Sequence, residues 1–174
     1  VTDHREELRQ FFQDRLRVML RDAGYTTLEV DAVLALNPEK LDELPKRLAA
    51  VRAFMALPEA EALTAANKRI GNILKKIEGE VPTVVNEALL AEDAEKQLFA
   101  AINDVEPKAL QHFAAGEYEQ MLATLAVLRG PVDSFFDNVM VNAEDPALRA
   151  TRQALLKRLY DVMNKVAEIA RLAK

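Results

Sequence analysis

GPVDSFFDNVMVNAEDPALRATRQALLKRLYDV, residues 130–162, spells out two helices and the corner that joins them. Val132, Phe135, Phe136, Val139 and Met140 fall at i, i+3, i+4, i+7 and i+8, which puts all five on one helical stripe and leaves Asp133, Asp137 and Asn138 on the other side. The pattern predicts a helix facing a core. The segment from Asn142 to Pro146 then stops the chain and restarts it. Asp145 is placed to accept from orphan amides of the next helix, and Pro146 suits a first helical position, where no amide is needed. A second long helix is therefore expected from Pro146, with Leu148, Leu155, Leu159, Val162, Met163, Val166 and Ile169 on its inner side.

The same punctuation divides the rest of the chain. Thr2 or Asp3 caps a first helix, with Leu8, Phe11, Phe12, Leu16 and Met19 as its stripe and Gly24 at its end. Thr26 followed by Glu29 repeats the cap signal for a short helix with Val30, Val33 and Leu34, closed by Asn37-Pro38. A third helix carries Leu41, Leu44, Leu48, Val51 and Met55; an interior proline removes a hydrogen bond, so its regular part begins near Pro45, and it ends before Pro58. A fourth runs from Glu59 towards Gly79 on Leu63, Ala66, Ile70, Ile73, Leu74 and Ile77. Residues 79–90 read as a loop with a cap at Asn86 and room for a brief turn. A fifth helix starts near Glu92 with Leu98, Ile102, Val105, Leu110 and Phe113 inward, and Pro107 is expected to kink or split it. A sixth spans Glu117 to Leu128 and ends at the Gly130-Pro131 break. The expected fold is all-α: a single-domain helical bundle of about seven to eight helices over residues 1–174, without a repeat of fixed period.

Composition narrows the chemistry. The 174 residues are 50% hydrophobic but only 6% aromatic, and they include no cysteine, which removes disulfides, thiolate nucleophiles and thiolate metal sites. No apolar run approaches a membrane span, and the start VTDHREEL lacks a signal-peptide pattern. A chain opening at Val1 on a capped helix reads as a domain cut from a longer polypeptide. His4 and His112 read as ordinary surface or packing residues. There is no phosphate-binding glycine motif, no nucleophile beside a base and no metal-ligand spacing, so catalysis within this chain is not expected.

What remains is a binding surface. The net charge of −5 is segregated: residues 80–120 hold nine acidic residues against two lysines, whereas residues 147–174 hold seven basic against two acidic. On the fourth helix Lys68, Asn72, Lys75 and Lys76 gather within an arc of roughly 100°, opposite the Ile/Leu stripe. Lysines on the outer face of an amphipathic helix are commonly just solvated, so the arc alone does not decide a partner. On the last helix Lys157, Arg158 and Lys165 point outward. Arg152 projects at the edge of the apolar stripe, where a guanidinium snorkels, pairs with an acid such as Asp137 or Asp145, or reaches a ligand, and Arg149 one turn earlier is placed to reach phosphate beside it.

VDSFFDNVMVNAEDPALRATRQALL (132–156), with AANKRIGNILKK (65–76) and LPEAEAL (57–63), closely resembles the C-terminal region of the beta subunit of bacterial heterotetrameric glycyl-tRNA synthetases, and the similarity extends from near Phe11 to the end. The region is similar to the helical anticodon-binding domain shared with arginyl-tRNA synthetase and named for its D-A-L-R motif. The family has R-x-N-R-L where this chain reads Arg149-Ala150-Thr151-Arg152-Gln153, and V-A-D-I-S where it reads Val166-Ala167-Glu168-Ile169-Ala170. Both arginines survive, while Thr151, Gln153 and Glu168 depart.

The resemblance implies tRNA recognition at the anticodon arm by a cytoplasmic ligase. It places ATP and glycine in the alpha subunit and no cofactor in this chain, with the alpha subunit and the remainder of the beta subunit as partners and neither membrane nor DNA among them. Glycine anticodons share two cytosines, whose N4 donor and N3 and O2 acceptors call for amide or carboxylate oxygens beside cationic donors. The expected contacts are Lys68, Arg69, Asn72, Lys75 and Lys76 on the fourth helix and Arg149 and Arg152 at the start of the last. Phe135 and Phe136 share a stripe with Val132 and Val139 and read as core, not as stacking platforms. The competing expectation is a helical module that docks another protein through its outer faces.

Overall fold

Thr26 and Glu29 close the first turn of a short helix reciprocally: Thr26 Oγ1 accepts from the Glu29 amide at 3.2 Å, and the Glu29 carboxylate accepts from the Thr26 amide at 2.9 Å. This is α2 (Thr27–Leu34) in a computed structural model that describes residues 4–173. Among those residues the chain is all-α, with α1 (Arg5–Asp22), α3 (Leu44–Met55), α4 (Ala60–Lys75), α5 (Asp93–Ala114), α6 (Tyr118–Leu125), α7 (Arg129–Asn138) and α8 (Pro146–Met163), joined by short 3-10 turns. The cap expected at Thr2 or Asp3 lies outside the described residues. Asp145 caps α8 by accepting from the Ala147 amide at 2.9 Å, directly before Pro146. Asn86 caps a single 3-10 turn, Glu87–Leu89, in the expected loop. Pro45 falls in the first turn of α3, where its missing amide has no intrahelical role.

Of the two proline signals inside the expected fifth to seventh helices, neither interrupts a helix. α5 continues through Pro107 without splitting, because the exposed ring lies on its outer side while Val105 and Ala109 hold both halves on the core. Leu110, expected inward, is exposed, and Ala109 takes the inward position. Gly130-Pro131 is not a break: a 3-10 turn at Ala126–Leu128 leads from α6 into α7, and Pro131 falls in a first turn whose amides lack intrahelical acceptors anyway.

α3 packs on α6, α6 on α5 and α5 on α7, and α4 lies against α7, α8 and the C-terminal 3-10 turn (Ile169–Leu172). Leu48, Ile70, Leu98, Ile102, Leu122, Phe135, Leu155 and Leu159 are essentially inaccessible, each such side chain contributing about 1.5–3 kcal/mol. α4 and α8 approach closely at Gly71, where a Cβ would meet the Tyr160 ring at 3.4 Å. α8 is shorter than its apolar pattern suggests. It ends at Met163, and Val166 and Ile169 are buried from beyond it, because Asn164 Oδ1 accepts from the Ile169 amide at 3.0 Å and turns the chain back. Arg47 fixes that turn with two donated bonds of 2.8 Å to the carbonyls of Lys165 and Val166.

α1 departs most from expectation. Its Leu16 and Leu20 meet the core and Arg17 bonds Asp31 at 3.2 Å, but Leu8, Phe11, Phe12 and Met19 are 65%, 63%, 49% and 63% exposed. The apolar arc is wider than the groove beside α2, and its far half stays exposed, with Arg15 over the Phe11 ring.

Candidate nucleic-acid interface

α4 is the positioning element. Leu63, Ala66, Asn67 and Ile70 are buried on one side, and that fixes Lys68, Arg69, Asn72 and Lys75 as an exposed ridge on the other, with Lys76 at the C-cap continuing it. Among the described residues, Lys68, Asn72, Lys75 and Lys76 make no ion pair or hydrogen bond through their side chains. Several cations elsewhere are paired, although Lys40, Lys46, Lys96 and Lys165 form no ion pair among the described residues. Arg17, Arg52, Lys108, Lys157, Arg158 and Arg171 each have a carboxylate within 3.3 Å. The ridge therefore keeps its field, which a neighbouring acid would otherwise cancel.

Arg69 turns to the flank of the ridge and lies over the Phe136 ring, with Cζ 4.3 Å from the centroid. Phe135 is fully buried as expected, whereas Phe136 is half-buried and supports Arg69 while meeting Phe135 edge-on at 5.6 Å. Met140, expected on the core stripe, is 72% exposed. The physical reason is the exit of the chain from α7: Val139 is extended (φ −117°, ψ 127°), so the next side chain no longer follows the helical stripe.

The two arginines of α8 serve the corner. Arg152 is buried, which corrects its expected place on the surface. Its partner is also not Asp137 or Asp145. Arg152 Nη2 donates to Glu95 Oε1 at 2.8 Å, and Nη1 donates to the Met140 carbonyl. Glu95 Oε1 also accepts from the Glu92 amide at 3.0 Å, so one carboxylate oxygen starts α5 and anchors α8. Arg149 is half-buried and donates to the Ala143 carbonyl at 3.0 Å. Thr151 Oγ1 accepts from the Asn86 amide at 3.2 Å. The first turns of α8 thus hold residues 140–143 and the loop at Asn86 in place.

That corner encloses a cleft of about 430 Å³ against α4, lined by Arg69, Ile73, Lys76, Val139, Met140, Val141, Asn142 and Gln153, with Ile77 at its end. Gln153 lies one turn after Arg149 on the same side of α8. Sequence reasoning missed Met140, Asn142 and Gln153 as surface-forming residues. The one available signal was Gln153, which departs from the family pattern beside two retained arginines. His4 and His112 each contact a glutamate, Glu7 and Glu117, at 3.2 Å, and no group of His, Asp or Glu among the described residues is arranged to hold a metal.

Residues 63–170 match the family model described as the DALR anticodon binding domain. The chain is 63% identical over 173 residues to the glycine–tRNA ligase beta subunit of Leptothrix cholodnii, a match covering 99% of this chain and 24% of that protein. It is 57% identical over 173 residues to the beta subunit of the same name from Delftia acidovorans (99% and 25%) and 56% identical over 168 residues to that of Methylobacillus flagellatus (97% and 24%). The chain spans about a quarter of the length of these relatives.

Proposed function

Because the chain belongs to the DALR anticodon binding domain family, we propose that it holds the anticodon arm of a glycine-specific tRNA on the α4 ridge and the adjoining start of α8. The observation that carries this reading is the row of Lys68, Lys75 and Lys76, exposed together and free of carboxylate partners among the described residues. An anticodon loop is single-stranded, offering phosphates to such a row and unstacked base edges to the amide and guanidinium groups beside it. Arg69 and Asn72 lie within the contact surface, Arg149 borders it, and Arg152 supports it from beneath. The chain contributes recognition without a cofactor of its own. Glycine activation with ATP belongs to the alpha subunit, in the cytoplasm, where the charged tRNA is used. Titrating the chain with the anticodon arm of a glycine tRNA, and with an arm carrying an unrelated anticodon, tests the reading. Tighter binding of the glycine arm is expected; equal affinity for both would reject anticodon recognition.

The exposed face of α1 favours a second contact. Leu8, Phe11, Phe12 and Met19 form an apolar stripe of the kind that covers a protein neighbour. The relatives carry about three quarters of their length outside the matched segment, so the occupant we assign is the remainder of a beta subunit. Amide exchange in α1 is expected to be fast in the 174-residue chain and at least about tenfold slower within a full-length subunit. Equal exchange in both would reject that packing.

A further inference from the structure

We propose that the groove running from the exposed face of α1 over the α2–α3 loop to the α5–α6 turn docks an extended segment from the remainder of a beta subunit, one with an apolar side chain followed by a carboxylate. This rests on the reading that the remainder of a beta subunit covers α1, and it adds where that contact continues and what chemistry holds it.

Two clefts share one wall. The first, of about 350 Å³, lies between α1 and the α2–α3 loop, against Phe12, Leu16, Leu34 and Leu41. The second, of about 740 Å³, lies between the start of α3 and the α5–α6 turn. Asn37, Pro38 and Glu39 border both, so the two form one groove bent over the loop. The loop itself is fixed. Asn37 sits at φ 49°, a left-handed conformation that asparagine tolerates, its amide donates to the Leu34 carbonyl at 3.0 Å, and its side-chain oxygen accepts from Gln13 on α1 at 2.7 Å.

Charge divides the groove. The α1 half is apolar, with Phe12 and Leu41 49% and 43% exposed, and Arg9 at its edge is already paired with Glu6 at 2.6 Å. In the far half Lys40 and Lys46 are exposed and form no hydrogen bond or ion pair among the described residues. Lys46 Nζ stands over Gly116, 3.7 Å from where a Cβ would lie, which puts an ammonium group at the α5–α6 side of the mouth. Glu43 is committed elsewhere: it accepts from the Tyr118 hydroxyl at 2.7 Å and lies 3.8 Å from Arg47, whose guanidinium stacks on the Tyr118 ring. Lys40, Lys46 and Arg47 against Glu39 and Glu43 leave this half net positive.

Those two halves specify the occupant. An apolar side chain between Phe12 and Leu41 leads an extended chain, at about 3.3 Å per residue, over Pro38 towards Lys46. A carboxylate there meets two unpaired ammonium groups in a recess, where a charge-assisted bond is stronger than on open surface. A nucleic-acid strand fits less well, because the α1 half of the wall holds no cation without a partner. Nor is the groove an extension of the α4 ridge. Arg47 ties it to the chain beyond the end of α8, whereas Lys76 shares a cleft with Gln153 in the first half of that helix.

Amide exchange in the 174-residue chain and in a full-length subunit carrying it tests the assignment. Residues 36–40 and 113–118 should exchange at least about tenfold more slowly in the full-length subunit. Lys40→Glu/Lys46→Glu in the full-length subunit should bring them within about threefold of the isolated chain while α1 stays protected. A zero-length carbodiimide cross-link on the unsubstituted subunit needs no variant to fold, and should join Lys40 or Lys46 to an acidic residue outside this chain. Full protection in the variant, or no such cross-link, would overturn the carboxylate. Protection of α1 without protection of the groove would overturn the groove assignment alone, and protection of neither would overturn the α1 reading as well. Slowing of the same amides when an anticodon stem-loop is added to the isolated chain would overturn it in favour of a nucleic-acid occupant.

Discussion

Arg152 shows how one buried guanidinium shapes the surface without joining it. Its bonds reach Glu95 on α5 and the Met140 carbonyl at the corner, and Glu95 is wholly inaccessible. A buried carboxylate that loses its cation keeps its desolvation cost and nothing to offset it, so Arg152→Ala is predicted to destabilise the chain by about 3–5 kcal/mol in urea unfolding. Replacing both partners together, Arg152→Met with Glu95→Gln, should be much less damaging. A loss below about 1 kcal/mol for Arg152→Ala would show that the pair does not hold the corner. The sequence made Arg152 conspicuous, because a cation at the edge of an apolar stripe must be paired or functional. It could not name the partner: Glu95 lies 57 residues away on another helix, and only the docking of α5 on α8 brings the two together.

At the scale of elements, local signals with local partners were readable and those that depend on neighbours were not. The caps at Thr26, Asn86 and Asp145 each act within three residues, and the helix starts follow them. Pro107, Gly130-Pro131 and the outward turn at Val139 depend on which face packs, and the apolar arc of α1 depends on how wide a groove α2 leaves. The cap of α2 also carries a pH signature. Glu29 bonds Arg52 at 2.9 Å and the Thr26 amide, and the Arg52 bond is the main reason its carboxyl falls from an ordinary 4.5 to about 2. A carboxyl depressed in the folded state adds stability that is fully present above its unfolded value and is lost as pH falls towards its folded value. The stability advantage of the unsubstituted chain over Glu29→Gln should therefore be constant above about pH 5 and shrink steadily from about pH 4.5 to 2. An advantage independent of pH across that range would contradict the assignment.

For the whole molecule, the central feature is a positive surface on a chain of net charge −5. Local pairing explains how both hold together. Acids pair with one or more cations on each of α1, α3, α5 and α8, leaving Arg15, Arg21, Lys46 and Lys96 without a carboxylate among the described residues, while α4 buries its apolar half against α7 and α8 and holds three lysines, Lys68, Lys75 and Lys76, without one. The ridge was legible from helical spacing alone. The cleft beside it was not, since Asn142, Gln153 and Arg69 meet only after the corner folds back on α4. The most direct test measures the affinity of a glycine tRNA anticodon stem-loop between low and moderate salt, for the unsubstituted chain and for Lys68→Glu/Lys75→Glu/Lys76→Glu. Each phosphate contact on a single strand contributes about 0.7 to the slope of log affinity against log salt, so the triple substitution should lower the slope by about 2 and abolish binding at moderate salt, with helicity unchanged. Unchanged affinity and slope in the folded variant would show that the α4 ridge is not where the tRNA binds.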